Sequence, residues 1–235
     1  MNKLDTDVII VGGGPAGLML AIELGRRQVR TVLFDRDHST TVNPQANATQ
    51  ARTMEHYRRL GFADEVRMKG LPSDYPTDIA YFTTFTGYEL ARFKLPSANQ
   101  AKHLIKNMKG SWSAAELPHR VSQMYVEEVL HRHAASLKTV DLNYEHEVIT
   151  ISDDKDHVIA TVVNKNKKFS ISAKYLVGCD GPSSQVRKQI GINMEGESDK
   201  KRDFVGGYMH AVYLRGSHLY DVINGDRAWM YVNIN

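Results

Sequence analysis

Near its start the chain carries a glycine cluster, a proline and an acid whose spacing suits phosphate and ribose chemistry. Gly12-Gly13-Gly14-Pro15-Ala16-Gly17 follows the apolar run Val8-Ile9-Ile10-Val11 and precedes a helical pattern, with Leu18, Ala21, Ile22 and Gly25 at i, i+3, i+4 and i+7. Gly12 permits a tight turn, Gly14 leaves room for a pyrophosphate against the backbone, and Gly17 lets the helix pack closely on the strand. Pro15 near the first helical position loses nothing by lacking an N–H. The N–H groups of that helix end, those of Ala16, Gly17 and the residues just beyond Pro15, have the helix dipole behind them and attract phosphate. A second apolar run, Thr31-Val32-Leu33-Phe34, ends on Asp35, 18 residues beyond Gly17, with Arg36 next to it. The Asp35 carboxylate can accept from ribose hydroxyls and would repel a 2′-phosphate in the same place. A lone G-x-G-x-x-G is weak evidence. Strand, glycine turn, helix, strand and acid in this order form the dinucleotide fingerprint in its required context.

A second constellation lies far along the chain. Gly178-Cys179-Asp180-Gly181-Pro182-Ser183-Ser184, with Arg187, follows the apolar Tyr175-Leu176-Val177. The end of a parallel strand is where doubly wound sheets keep their ligands. Glycines on both sides let the Asp180 backbone approach a ligand while its carboxylate accepts hydroxyl hydrogen bonds. Alone this would be an ordinary strand-to-helix turn; beside the first fingerprint it becomes specific.

These residues need elements to hold them. Residues 36–48 read as loop. A helix over 50–60 turns Met54, Tyr57 and Leu60 inward and closes on Gly61. A shorter helix over 63–68 is stopped by Gly70 and Pro72. Residues 79–85 and 88–94 are β-rich runs around Thr86-Gly87, a hairpin that leaves the βαβ pattern and implies an inserted domain. Residues 95–118 read as a polar connection. The spacing of Val126, Val129, Leu130, His133, Ala134 and Leu137 predicts a helix over 121–137. Strands over 140–144, 148–152, 158–163 and 168–171 form an antiparallel meander, and 175–177 returns as a core strand. A helix over 184–190 is followed by strands over 204–214 and 229–233 that re-enter the inserted sheet. The fold class is α/β: a Rossmann-like domain of parallel sheet plus antiparallel β-meander, with an inserted and incomplete β-sheet domain.

Composition narrows the function. The chain has 235 residues and a net charge of +3, and its basic residues form no stripe, which speaks against nucleic acid. Lys165, Lys167 and Lys168 look like a solvated turn. The one cysteine, Cys179, cannot form an internal disulfide and suits a reducing, cytoplasmic setting. No apolar run approaches the roughly 18 residues of a membrane span. Histidines are plentiful, but His131 and His133 lie two apart on a helix, and neither H-E-x-x-H nor C-x-x-C occurs, so no metal site is expected. Asp180 beside Cys179 disfavours a reactive thiolate.

With these residues in place, the sequence resembles the class A flavoprotein monooxygenases, the FAD-dependent aromatic hydroxylases, and most of all their phenol and polyketide hydroxylase branch. The resemblance rests on Gly12 to Gly17 with Asp35, on Gln50-Ala51-Arg52-Thr53-Met54-Glu55, on Gln123 at the start of the long helix, and on Gly178-Cys179-Asp180-Gly181. It implies FAD as cofactor and NAD(P)H as co-substrate, with one atom of dioxygen passing to an electron-rich aromatic or phenolic ring. It places Asp35 on the adenosine ribose, and Arg52 and Gln123 against the pyrophosphate and ribityl chain. Val148 would meet the adenine through its backbone, and Asp180 and Gly181 would serve both FAD and NAD(P)H. A guanidinium forks onto phosphate, and a Gln amide both donates and accepts along a polyol. Without the resemblance, Arg52 would read as a solvated helix charge and Gln123 as a helix-start residue.

The resemblance implies an FAD-binding domain over 1–74 and 100–192, and a substrate domain over 75–99 and 193–235. Tyr208, His210, Tyr213, Trp229 and Tyr231 are candidates on the inserted sheet, each also explicable as sheet core or surface; no catalytic residue is singled out. The family's third FAD motif, Gly-Asp with a proline seven residues after the Asp, is not matched by Gly225-Asp226, where Asn233 takes the proline's place. The chain therefore reads as the N-terminal part of a longer enzyme, completed by a C-terminal part or by a second copy. Two other functions stay open: an FAD-linked oxidoreductase that inserts no oxygen, and a non-catalytic nucleotide-binding fragment.

Overall fold

The computed structural model describes residues 4–107, 109, 114–165, 167–196 and 210–234. In chain order the elements are β1 (Val8–Val11), α1 (Pro15–Gly25), β2 (Thr31–Phe34), β3 (Ala48–Thr49), α2 (Ala51–Leu60), α3 (Ala63–Met68), β4 (Ile79–Phe82), β5 (Glu89–Phe93) and α4 (Ala98–Leu104). There follow β6 (His119–Arg120), α5 (Gln123–Ala135), β7 (Val140–Asn143), β8 (Glu147–Asp153), β9 (Val158–Asn164), β10 (Lys167–Ala173), β11 (Tyr175–Gly178), α6 (Gln185–Gln189), α7 (Leu219–Val222) and β12 (Met230–Asn233). They form two compact units, Met1–Val42 with Val126–Tyr208, and Asn43–Tyr125 with Met209–Asn235.

The first unit is built on a parallel sheet of order β11-β1-β2-β7. β1 is buried at all four positions, as a β-branched run covered on both faces must be. α1 buries Gly17, Leu18, Ala21, Ile22 and Gly25, the stripe its spacing predicts. On the sheet's side chains Ile9, Val11 and Phe34 sit Val148, Ala160, Val162 and Ala173 of the β8-β9-β10 meander, together with Val186 of α6. Burying each of the larger ones contributes about 1.5–3 kcal/mol.

Two expectations change here. β7 is not the first strand of the meander; it pairs in parallel with β2, Leu33 opposite Leu142. The approach of α1 permits this, since a Cβ on Gly25 would stand 2.5 Å from Val140 Cγ2. β11 does return parallel to β1, Ile9 opposite Leu176. It is the outermost strand of that sheet among the described residues, so Tyr175 is 64% and Val177 36% exposed. A core strand it is not.

In the second unit β4 and β5 make the predicted hairpin, and β12 adds to β4 in parallel, Tyr231 opposite Ala80. Ala80, Phe82 and Ala228 are its fully buried centre. Arg92 of β5 spends all five of its N–H donors: Nε on Glu89, Nη1 on Asp78 and the Arg227 carbonyl, Nη2 on Glu89 and the Asp226 carbonyl. The chain leading into β12 is thereby tied to the hairpin. Residues 95–118 hold α4, where a connection was expected. Its start is a capping box, with Ser97 accepting from the Gln100 N–H and Gln100 accepting from the Ser97 N–H. Of the strand expected over 204–214, residues 204–209 lie outside the described residues, and 210–214 have no regular structure.

β6 pairs with β3 and buries His119. Its Nε2 lies 3.1 Å from the Arg67 carbonyl, so that nitrogen carries the proton of a neutral ring. Burial, with the nearby charges of Arg67 and Lys102, pushes the imidazole down to about 4. The unfolded chain takes up a proton near pH 6.5 that the folded chain refuses, so this contribution is whole above pH 6.5 and lost as pH falls through about 4. The melting temperature is expected to fall between about pH 6.5 and about pH 4, and His119→Gln to flatten that slope. Parallel slopes for the two proteins in a thermal melt series would refute this.

Candidate dinucleotide site

The glycine turn and the loop at residue 180 stand side by side. β1 and β11 run parallel and end together, Val11 opposite Gly178, and the Cys179 N–H donates to the Val11 carbonyl at 2.6 Å. Gly12 has φ +110°, and a Cβ there would lie 2.4 Å from the Cys179 carbonyl oxygen. A Cβ on Gly17 would fall 1.9 Å from the Gly12 oxygen. The first and last glycines are therefore required by packing alone.

Gly14 differs. Its φ is −73° and, among the described residues, nothing lies within 4 Å of the position its Cβ would take. It is the N-cap of α1, and no side chain among the described residues caps that helix. Pro15 occupies the first turn, and no acid stands there to meet the dipole. Open space before a helix end whose donors lack a side-chain cap fits the pyrophosphate of a dinucleotide, on the N–H groups of Ala16, Gly17 and their neighbours.

Asp35 closes the other side of the turn. One of its oxygens accepts from the Gly13 N–H and the other from the Asp37 N–H at 2.8 Å. Each carboxylate oxygen keeps a second lone pair, which leaves acceptor capacity for ribose hydroxyls. Arg36 is exposed beside it. The sequence offered no sign of Tyr144. Its ring would touch a Cβ on Gly13 at 3.2 Å and stacks 5.5 Å from His131. Its hydroxyl is buried with no hydrogen-bond partner among the described residues, and burial, then Asp35 and Glu127, pushes its ionisation up. Only the return of β7 beside β2 brings it there.

Asp180 is engaged in its own loop. It accepts from the Ser184 hydroxyl and from the N–H groups of Gln185 and Val186. Burial pushes its carboxyl up, but these hydrogen bonds outweigh it and hold the group below the usual range. The φ of +80° at Gly181 turns the chain into the cap. Burial, then Asp180, raises the Cys179 thiol, in keeping with an unreactive cysteine. Val148 buries its side chain in the core, just before a bulge bridged by the Gln189 amide at Ile149 and Ile151.

In the second unit, Arg52 lies in the first turn of α2, 83% exposed and 3.0 Å from Glu55. Gln123 starts α5 and accepts from the Gln45 N–H at 3.2 Å. Among the inserted-sheet candidates, Tyr208 lies outside the described residues, and His210 and Tyr213 are exposed. The Trp229 ring carries the Arg120 guanidinium, and the Tyr231 hydroxyl accepts from the Ala228 N–H. No group of three or more possible metal ligands occurs among the described residues. Nor is any described helix long and apolar enough to cross a membrane.

A parallel sheet ending in a glycine cradle, a helix N-terminus without a side-chain cap and an acid after the second strand defines a dinucleotide-binding α/β protein. The chain belongs to the FAD binding domain family, whose model matches residues 5–219. It is 31% identical over 196 residues to 2,4-dichlorophenol 6-monooxygenase of Delftia acidovorans, covering 83% of this chain and 33% of that protein. Among solved structures it is similar to the flavin-dependent monooxygenase PieE in complex with FAD and substrate, with TM-score 0.72 and 28% identity over 83% of this chain and 34% of that one. It is also similar to the rebeccamycin biosynthetic enzyme RebC with reduced flavin, with TM-score 0.69 and 30% identity over 82% of this chain and 36% of that one. The chain spans about a third of the length of these proteins.

Proposed function

We propose that this chain binds FAD, laid from the glycine turn toward the loop around Asp180, and serves an FAD-dependent monooxygenase that uses NAD(P)H and dioxygen to hydroxylate an aromatic or phenolic substrate. The observation that carries the reading is the adjacency of those two loops at the paired ends of β1 and β11. The 2,4-dichlorophenol specificity in a relative's name and the FAD held by PieE support the chemistry.

FAD when bound supplies the electron transfer from NAD(P)H and the activation of dioxygen. The chain's own part is binding and orientation. Gly12, Gly14, Pro15, Ala16 and Gly17 seat the pyrophosphate, and Asp35, with Arg36 beside it, takes the adenosine ribose. From the motifs they share with the hydroxylases, Arg52 and Gln123 are assigned to the pyrophosphate and ribityl chain, and the Val148 backbone to adenine. Asp180 and Gly181 shape the loop at the flavin side, the Asp180 carboxylate holding that loop onto α6. Residues 1–74 with 100–192 form the FAD-binding part and residues 75–99 with 193–235 the substrate part.

The test is reconstitution with FAD, followed by oxygen-electrode assays with NADH or NADPH and simple phenols. Yellow protein, phenol-stimulated oxidation of the nicotinamide and a product heavier by one oxygen are expected. Nicotinamide oxidation without oxygen in the product would replace the monooxygenase reading with an oxidoreductase one. A protein that binds FAD but turns nothing over would leave a binding module. Failure to bind FAD would sink the proposal.

A further inference from the structure

The second unit contains a cavity that the flavin reading does not use. Its volume is about 350 Å³, enough for one or two rings, and its walls are mostly apolar, among them Leu71, Leu95, Ala98, Leu104 and Leu117. The polar groups on the wall are largely spent. The Thr77 hydroxyl donates to the Pro96 carbonyl, the Tyr75 hydroxyl to the Ala228 carbonyl, and His119 Nε2 to the Arg67 carbonyl.

Arg120 is the exception. Its guanidinium lies over the Trp229 ring, 3.7 Å from the centroid, and has neither an ion pair nor a side-chain hydrogen bond among the described residues. Three acids of the same unit are engaged with other side chains: Glu116 with Arg67 and Arg58, Asp78 with Arg92, Asp74 with Asn99. Arg67 and Lys102 add positive charge felt at His119 on the same wall. A half-buried cation without a counter-charge, at an apolar cavity, fits a ligand that brings the anion.

We infer that this cavity binds a small aromatic anion, its ring among the leucines and its carboxylate or phenolate oxygen on the Arg120 guanidinium. The site lies wholly within the second unit and needs no flavin, so it stands or falls apart from the hydroxylase proposal. The aromatic carboxylate and the phenolate share this chemistry, and pH separates them: a carboxylate binds from about pH 5 upward, whereas an unsubstituted phenol binds only near its own ionisation at about pH 10.

The test follows Trp229 fluorescence in a Trp112→Phe background, which removes the only other tryptophan. Benzoate is titrated at about pH 7, with benzyl alcohol as the neutral ring, acetate as the anion without a ring, and phenol at pH values on both sides of its ionisation. Saturable benzoate binding is expected, at least about tenfold tighter than benzyl alcohol or acetate. Arg120→Gln should abolish the preference for benzoate over benzyl alcohol. Because Arg120 packs on Trp229, Ala98→Leu serves as a second variant that fills the cavity and leaves the arginine in place. It should lose benzoate binding while keeping the wild-type circular dichroism and melting temperature. Equal binding of benzoate and benzyl alcohol, no saturation by about 10 mM benzoate, or undiminished benzoate binding in folded Ala98→Leu would each overturn the inference.

Discussion

Gly14→Ser is expected to leave the protein as stable as before, or slightly more so, and to weaken FAD binding about 10- to 100-fold. Gly17→Ala is expected to do the reverse in origin: about 3 kcal/mol or more of stability is lost, and binding fails because the fold does. The contrast comes from what surrounds each residue. At Gly14 the backbone is extended, φ −73° and ψ −175°, and the space around a Cβ is open. Serine suits that N-cap geometry, and its hydroxyl can accept from the first turn of α1. The same atoms then occupy the space assigned to the phosphate and compete for the donors it needs. At Gly17 a Cβ would lie 1.9 Å from the Gly12 oxygen, backbone that cannot swing aside without moving α1 off β1. Thermal melts and FAD titrations of the two variants check both halves. Unchanged FAD affinity in Gly14→Ser would show that the phosphates sit elsewhere.

The second large effect is expected at Arg92. Arg92→Met should cost about 3–5 kcal/mol, since it leaves the Asp78 carboxylate beside an apolar chain in a place where both partners were almost wholly buried. Side-chain exposure is 11% for Arg92 and 12% for Asp78, so water gives little relief. Asp78 also accepts from the Leu95 N–H, and losing Arg92 does not free it from that site. Glu89 is the other carboxylate concerned. Its hydrogen bond to Arg92 holds it below the usual range, so its contribution is present above about pH 4.5 and lost as pH falls through its lowered folded value. Adding Asp78→Asn to Arg92→Met should recover part of the loss, because a neutral amide can stay buried and still accept from Leu95. Denaturant melts of the single and double variants measure this. An Arg92→Met cost below about 1 kcal/mol would mean that the five-donor network contributes nothing beyond an ordinary surface pair.

Much of the site was legible in the sequence because its parts are local. The left-handed turn at Gly12 and its close approach to Gly17, the stripe on α1 and the acid after β2 are fixed by neighbours within a few residues, whereas the contact of Gly12 with Cys179 comes from the fold. The capping box at Ser97 and Gln100 was equally local and could have been read as a helix start, yet the polar texture of residues 95–118 suggested a connection. The cavity around Arg120 left no sequence signal, since its walls come from segments that are adjacent only in the fold.

By itself the sequence determined the βαβ opening, the glycine turn, the long helix and the hairpin of β4 and β5. The tertiary structure alone decided that β7 joins the parallel sheet and not the meander, that β12 lies against β4, and that Tyr144 lies against the glycine turn. It also decided that Asp180 caps its own helix. The reason is physical: period and turn type follow from contacts a few residues apart, whereas strand partners and the pairing of charges depend on surfaces that only folding brings together.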